Sequence, residues 1–230
     1  MLDQQLHLLF PHVCLLCRTR LLPGEHYCCS TCRAEFDPFG SHSEAEGLLR
    51  RTIASHFGEQ FLFDRGWCRY RFHKKSSLQQ VLHAMKYEGL FNIAKSFGSQ
   101  LGEWMLSGGD TGDIDCIVAI PLHPLKKIER SYNQSEKIAE GLAQSLHKPL
   151  RSELLVRKRY TVSQTGLSAQ ERKKNPEGAF QIRKGAVDRH VLLVDDVVTT
   201  GATMAAAASA LRKGGAEKIS LAAVALAIKE

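Results

Sequence analysis

The chain has 230 residues, of which 43% are hydrophobic and 24% charged, with a formal net charge of +7. That length holds one main domain and a small appendage, and the composition excludes wholesale disorder and low-complexity classes. The longest unbroken apolar stretch, residues 221–228, falls short of the roughly 20 residues a bilayer-spanning helix needs, so no membrane insertion is expected.

The first residues lack a basic segment and are interrupted by Gln4, Gln5, His7 and Pro11, which argues against a secretory signal and for a cytoplasmic protein. Next come the cysteines: Cys14, Cys17, Cys28, Cys29 and Cys32 fall within 19 residues and form two C-x-x-C pairs, Cys14/Cys17 and Cys29/Cys32. A reducing compartment disfavours disulfides, whereas two such knuckles present four thiolates to a tetrahedral Zn²⁺. Pro23 and Gly24 suit the reversal between them. The ligand set is Cys14, Cys17, Cys29 and Cys32, with Cys28 an alternative to Cys29. Four sulfur ligands leave no open position, so the metal is expected to serve folding. Cys68 and Cys116 read as buried hydrophobes.

Residues 33–64 show no clear period, and residues 67–72 alternate as a strand does. Ser76 can cap a helix through Leu78, Val81, Leu82 and Met85 that Gly89 stops. A second helix spans residues 90–105, with Ile93, Ala94, Phe97, Leu101 and Trp104 on one face, and residues 107–113 form a loop. From there strands (115–121, 191–194, 219–228) alternate with helices (131–146, 202–211), which implies a parallel α/β sheet flanked by helices on both faces. Ligands bind such sheets beyond the carboxyl ends of the strands. Residues 126–184 hold 14 Lys and Arg against 6 Asp and Glu, which suits a phosphorylated small molecule or a nucleic-acid backbone.

The strand at residues 191–194 runs into Asp195 and Asp196, expected to emerge where the sheet stops, and then into Thr199, Thr200, Gly201, Ala202 and Thr203 at a helix start. Paired carboxylates suit sugar hydroxyls or Mg²⁺, while backbone N–H groups, a helix dipole and three hydroxyls suit a monophosphate. The G-x-x-x-x-G-K spacing of a Walker loop is absent.

Residues 191–203 resemble the phosphoribosyl-pyrophosphate (PRPP) signature of type I phosphoribosyltransferases. The resemblance implies that Asp195 and Asp196 face the ribose 2- and 3-hydroxyls, that residues 199–203 hold the 5-phosphate, and that Mg²⁺ accompanies PRPP. The loop with Lys126, Lys127 and Arg130 falls where those enzymes place their pyrophosphate loop. Asn133 and Gln134 would fix it or cap the next helix, and Arg157, Gln164 and Arg172 fall in the flexible hood. The cysteine ribbon, His83-Ala-Met-Lys-Tyr-Glu-Gly89, Pro121-Leu-His-Pro124, Arg130-Ser-Tyr-Asn-Gln134 and the 164–172 segment together resemble the ComF/GntX family, competence-associated phosphoribosyltransferase-like proteins. Ser131 departs from the glycine expected in that family's R-G-[FY]-N-Q motif. The resemblance implies PRPP, single-stranded DNA and the competence machinery as partners. Lys86 and Tyr87, ending a helix, read as dipole or stacking residues rather than catalytic ones. The expected division is a zinc ribbon (1–35), a linker with accessory helices (36–112) and a phosphoribosyltransferase-like domain (113–230).

Overall fold

The computed structural model describes residues 13–58, 63–87, 89–109, 111–157, 178–183 and 187–228, without the side chains of Pro124, Leu125 and Lys127. In chain order the elements are α1 (Ser30–Ala34), β1 (Asp37–Pro38), α2 (His42–Phe57), β2 (Gly66–Phe72), α3 (Ser77–Tyr87), α4 (Phe91–Ser107), β3 (Cys116–Ala119), α5 (Pro124–Arg130), α6 (Gln134–Leu146), β4 (Leu155–Arg157), β5 (Phe180–Ile182), β6 (His190–Val198), α7 (Ala202–Lys213) and β7 (Lys218–Ala227).

Among the described residues, five strands form the main sheet in the order β1-β2-β7-β6-β3. β2, β7, β6 and β3 are mutually parallel, and β1 adds antiparallel to β2. The β6 residues Val191, Leu192, Leu193 and Val194 and the β7 residues 219–226 are buried, as a sheet covered on both faces requires. One apolar cluster lies on each side of the sheet. β4 and β5 make a separate antiparallel pair.

α4 and α6 pack backbone to backbone. A Cβ placed on Gly98 would stand 1.9 Å from the Ile138 carbonyl oxygen, and one on Gly141 would stand 2.1 Å from that of Lys95. Only glycine permits this approach.

Residues 36–112 are more than a linker with accessory helices. They supply β1 and β2 to the main sheet, and β2 pairs with β7 over residues 66–72. α2 was also unanticipated. Ser41 caps it by accepting from Glu44 N–H, and it buries Ala45, Leu49 and Ile53. Three apolar residues at four-residue spacing are too narrow a stripe to stand out among 16 mostly polar positions. The segment read as a loop around Lys126 folds as α5, and the helix expected from residue 131 begins at Gln134.

The cysteine segment shares the main core. Cys14, Leu21, Tyr27, Cys28 and Cys32 belong to the same buried cluster as Phe97 and Leu101 of α4, with the Tyr27 and Phe97 ring centroids 5.2 Å apart.

Candidate functional site and metal centre

The sulfurs of Cys14, Cys17, Cys29 and Cys32 all lie within 4.8 Å of one another, and those of Cys17 and Cys29 are 3.7 Å apart. Two thiolates about 2.3 Å from a tetrahedral zinc would be about 3.8 Å apart, so the donor set fits such an ion. Local folding builds each knuckle. Arg18 N–H donates to the Cys14 carbonyl with Arg18 in the left-handed region, and Cys29 caps α1 with its sulfur accepting from Cys32 N–H. Backbone N–H donors outweigh burial at Cys14 and draw its thiol down to about 6. Cys28 is outside the cluster, buried in the core, and burial pushes its thiol up to about 12. The choice between Cys28 and Cys29 falls to Cys29.

Asp195 and Asp196 do not follow the end of β6; both lie within it, Asp195 paired with Ala223 of β7. The β pairing continues to Val198 because Val197 and Val198 still find partners on β7. Asp195 Oδ1 accepts from Ser135 Oγ at 2.7 Å and from Asp196 N–H at 2.9 Å. Asp196 Oδ1 accepts from Val197 N–H at 2.8 Å, and its Oδ2 meets Lys86 Nζ at 2.5 Å. Burial and the adjacent Asp196 charge push the Asp195 carboxyl up to about 7. Burial also opposes ionisation at Asp196, but the Lys86 charge prevails and holds that carboxyl below its ordinary value. Lys86 is correspondingly held high against the pull of burial.

Beyond β6 the chain turns through Thr199 and Thr200 to Gly201, whose φ of +79° opens α7. A Cβ there would stand 2.5 Å from Ile53 Cγ1 of α2, so glycine is required twice over. Thr200 Oγ1 accepts from Ala202 N–H at 3.3 Å, and no side chain caps α7 at Gly201. The first turn of α7 thus keeps N–H groups that an anion can take.

Three cations from two other segments, α5 and β4, gather beside this centre. Arg130 reaches Tyr87, with a 3.4 Å bond from Nη2 to Oη and its guanidinium 5.3 Å from the ring centroid; its charge acts on Asp196. Arg157, over Phe180, is lowered by burial against the opposing influence of Asp195. Lys126 is lowered by burial and by the Arg130 and Arg157 charges. Asn133 both caps α6, accepting from Ser135 N–H, and donates to the Ile120 carbonyl at 3.0 Å. Gln134 is buried beside it. The Lys127 side chain, Gln164 and Arg172 lie outside the described residues.

Sequence reasoning missed the placement of Lys86 and of Ser135. The helix spacing puts Lys86 one position beyond the core residue Met85, and nothing local marks its partner on β6. Tyr87 meets His83 with ring centroids 4.6 Å apart and planes tilted by 38°, a tilted contact and not a stacked one.

Residues 133–229 match the model of the phosphoribosyl transferase domain. Among solved structures, the Bacillus subtilis glutamine PRPP amidotransferase is similar with a TM-score of 0.40 and 20% identity, over 58% of this chain and 26% of that one. The DNA utilization protein YhgH of Escherichia coli (strain K12) is 34% identical over 145 residues, which is 62% of this chain and 64% of that protein's length. Competence protein F of Haemophilus influenzae is 27% identical over 216 residues, covering 90% of this chain and 93% of the relative. Competence protein ComFC of Streptococcus pneumoniae is 25% identical over 209 residues, covering 86% of this chain and 88% of the relative.

A parallel sheet of this order, with paired carboxylates on β6 leading into an uncapped helix and a matching domain model, defines a type I phosphoribosyltransferase-like protein. It carries a small cysteine ribbon at the N-terminal side. Within that class, the chain is similar to competence protein F and ComFC over most of its length and to YhgH over 62% of it, which supports a ComF-type protein.

Proposed function

We propose that the protein binds PRPP together with Mg²⁺ and transfers ribose 5-phosphate to a nitrogenous acceptor, linked to DNA uptake in the setting of competence that its relatives' names indicate. The observation that supports this reading is one juxtaposition. Two neighbouring carboxylates, one locked by Lys86, stand just before a turn that delivers the free N–H groups of α7.

In this reading Asp195 and Asp196 accept from the ribose hydroxyls, and residues 199–203 hold the 5-phosphate. Lys126, Arg130 and Arg157 face the pyrophosphate. The bond from the anomeric carbon to pyrophosphate oxygen breaks, pyrophosphate leaves with the electron pair, and the acceptor nitrogen bonds to that carbon and sheds its proton. The carboxylates' field favours the positive charge that develops on the sugar. Among the described residues, no third His, Cys, Asp or Glu donor joins Asp195 and Asp196, so PRPP oxygens would supply most ligands to Mg²⁺. The metal's contribution when bound is to neutralise the leaving pyrophosphate. The four-sulfur cluster would hold a structural Zn²⁺.

Calorimetric titration with PRPP tests the pocket. Magnesium-dependent binding, weakened at least tenfold by Asp195→Asn, is expected; equal affinity in wild type and variant refutes the assignment. The basic composition of residues 126–184 supports a second reading, a non-catalytic PRPP-sensing module that binds single-stranded DNA. Oligonucleotide affinity that falls steeply with salt, without any transfer to an acceptor, would favour it.

A further inference from the structure

The four parallel strands begin at the edge of the sheet opposite Asp195, and three residues from separate segments meet there. Asp64 precedes β2, Asp113 precedes β3, and His190 is the first residue of β6, with one ligand atom from each lying within 4.8 Å of the others. His190 is only 3% exposed, so its imidazole is fixed in place. Its Nε2 is engaged with Ser220 Oγ at 2.9 Å and lies 3.9 Å from Asp64 Oδ2. Its buried Nδ1 makes no hydrogen bond, although Asp113 Oδ2 stands 3.2 Å away.

A buried imidazole nitrogen that makes no hydrogen bond and stands 3.2 Å from a carboxylate oxygen can serve as a metal ligand in the tautomer whose Nε2–H donates to Ser220. Two ligands about 2.05 Å from a tetrahedral ion lie about 3.4 Å apart, close to the observed separation. The Nε2 contact to Ser220 supplies the outer hydrogen bond that fixes the ring of a ligating histidine. Lys218 Nζ now lies 3.1 Å from the same Asp113 oxygen, with both side chains about half exposed. It is a displaceable cation where a better one can sit.

We infer that Asp64, Asp113 and His190 form a second site for a divalent transition metal such as Zn²⁺, which accepts both imidazole and carboxylate ligands. The site is independent of the PRPP pocket: β6 runs five residues from His190 to Asp195, about 16 Å. Its role is structural, tying the starts of β2, β3 and β6 together.

The experiment is calorimetric titration of Zn²⁺ into the full-length protein already loaded at the ribbon, with melting temperature followed in parallel. Wild type is expected to take one further equivalent and to melt higher with it. Asp113→Asn, an exposed change that leaves the fold intact, should weaken that uptake at least tenfold and abolish the rise in melting temperature. Lys218→Met should tighten it by removing the competing ammonium. No further equivalent in wild type, or uptake that Asp113→Asn leaves unchanged, overturns the inference. Cys29→Ser changes the ribbon alone, so a failure of the ribbon assignment is read separately.

Discussion

Lys86 Nζ lies 2.5 Å from Asp196 Oδ2, which joins the end of α3 to the centre of β6. The pair divides the labour of two adjacent carboxylates, keeping Asp196 ionised while Asp195 takes the proton that crowding imposes. Lys86→Met should strand Asp196 and raise its titration. The expected cost is about 2–4 kcal/mol of stability, read by chemical denaturation, because an uncompensated buried charge remains. Lys86→Arg should recover part of that loss.

Asp195 makes the apoprotein less stable at neutral pH. Its carboxyl is raised to about 7 in the folded chain, above its unfolded value near 3.9, so the native state holds more protons between those limits. Stability from this group is greatest below about pH 4 and is lost as pH rises to about 7. Asp195→Asn keeps an oxygen acceptor for Ser135 and removes the ionisation. It should stabilise the apoprotein by roughly 1–3 kcal/mol at pH 8 and by little at pH 4, measured by denaturant midpoints at both pH values. No gain at pH 8 would contradict this account.

Gly98→Ala forces a methyl group into the Ile138 carbonyl, and backbone has no rotamer with which to yield. α4 and α6 must part, at an expected cost of about 3 kcal/mol or more, seen as a lower melting temperature. An unchanged melting temperature would mean that the two helices are not seated as described.

Ser131 departs from the family's glycine and holds φ at +64°, a conformation glycine adopts freely. Ser131→Gly relieves that strain against the added freedom of the unfolded chain. A net gain of up to about 1 kcal/mol is expected from equilibrium unfolding.

Cys29→Ser should lower the zinc count by one per chain and loosen the packing of Tyr27 on Phe97, followed by elemental analysis and tyrosine fluorescence. Cys28→Ser should leave the count unchanged. The reverse pattern would transfer the ligand role to Cys28.

The turn proposed to hold phosphate was legible because its chemistry is local: residues 195–203 carry carboxylates, hydroxyls and glycine in one unbroken segment. The ribbon was legible for the same reason, its knuckles being set by short spacing. Lys86 and Ser135 were not, since each acquires its role from a residue more than 50 positions away. α2 escaped because only Ala45, Leu49 and Ile53 mark its buried face, yet Ile53 is what closes over Gly201. β2 was recognised as a strand, but membership of the main sheet is decided by pairing with β7, and no periodicity reports that.

The position of β7 between β2 and β6 governs how the chain can assemble. β2 and β6 share no ladder, so neither completes its hydrogen bonds until the segment C-terminal to both has left the ribosome. Until β7 pairs, the strand that carries Asp195 and Asp196 keeps one edge open, so the carboxylate pair reaches its final setting only once β7 is in place. A fold closed by long-range parallel pairing is a slow folder, and the nascent chain is most exposed to aggregation just before β7 inserts.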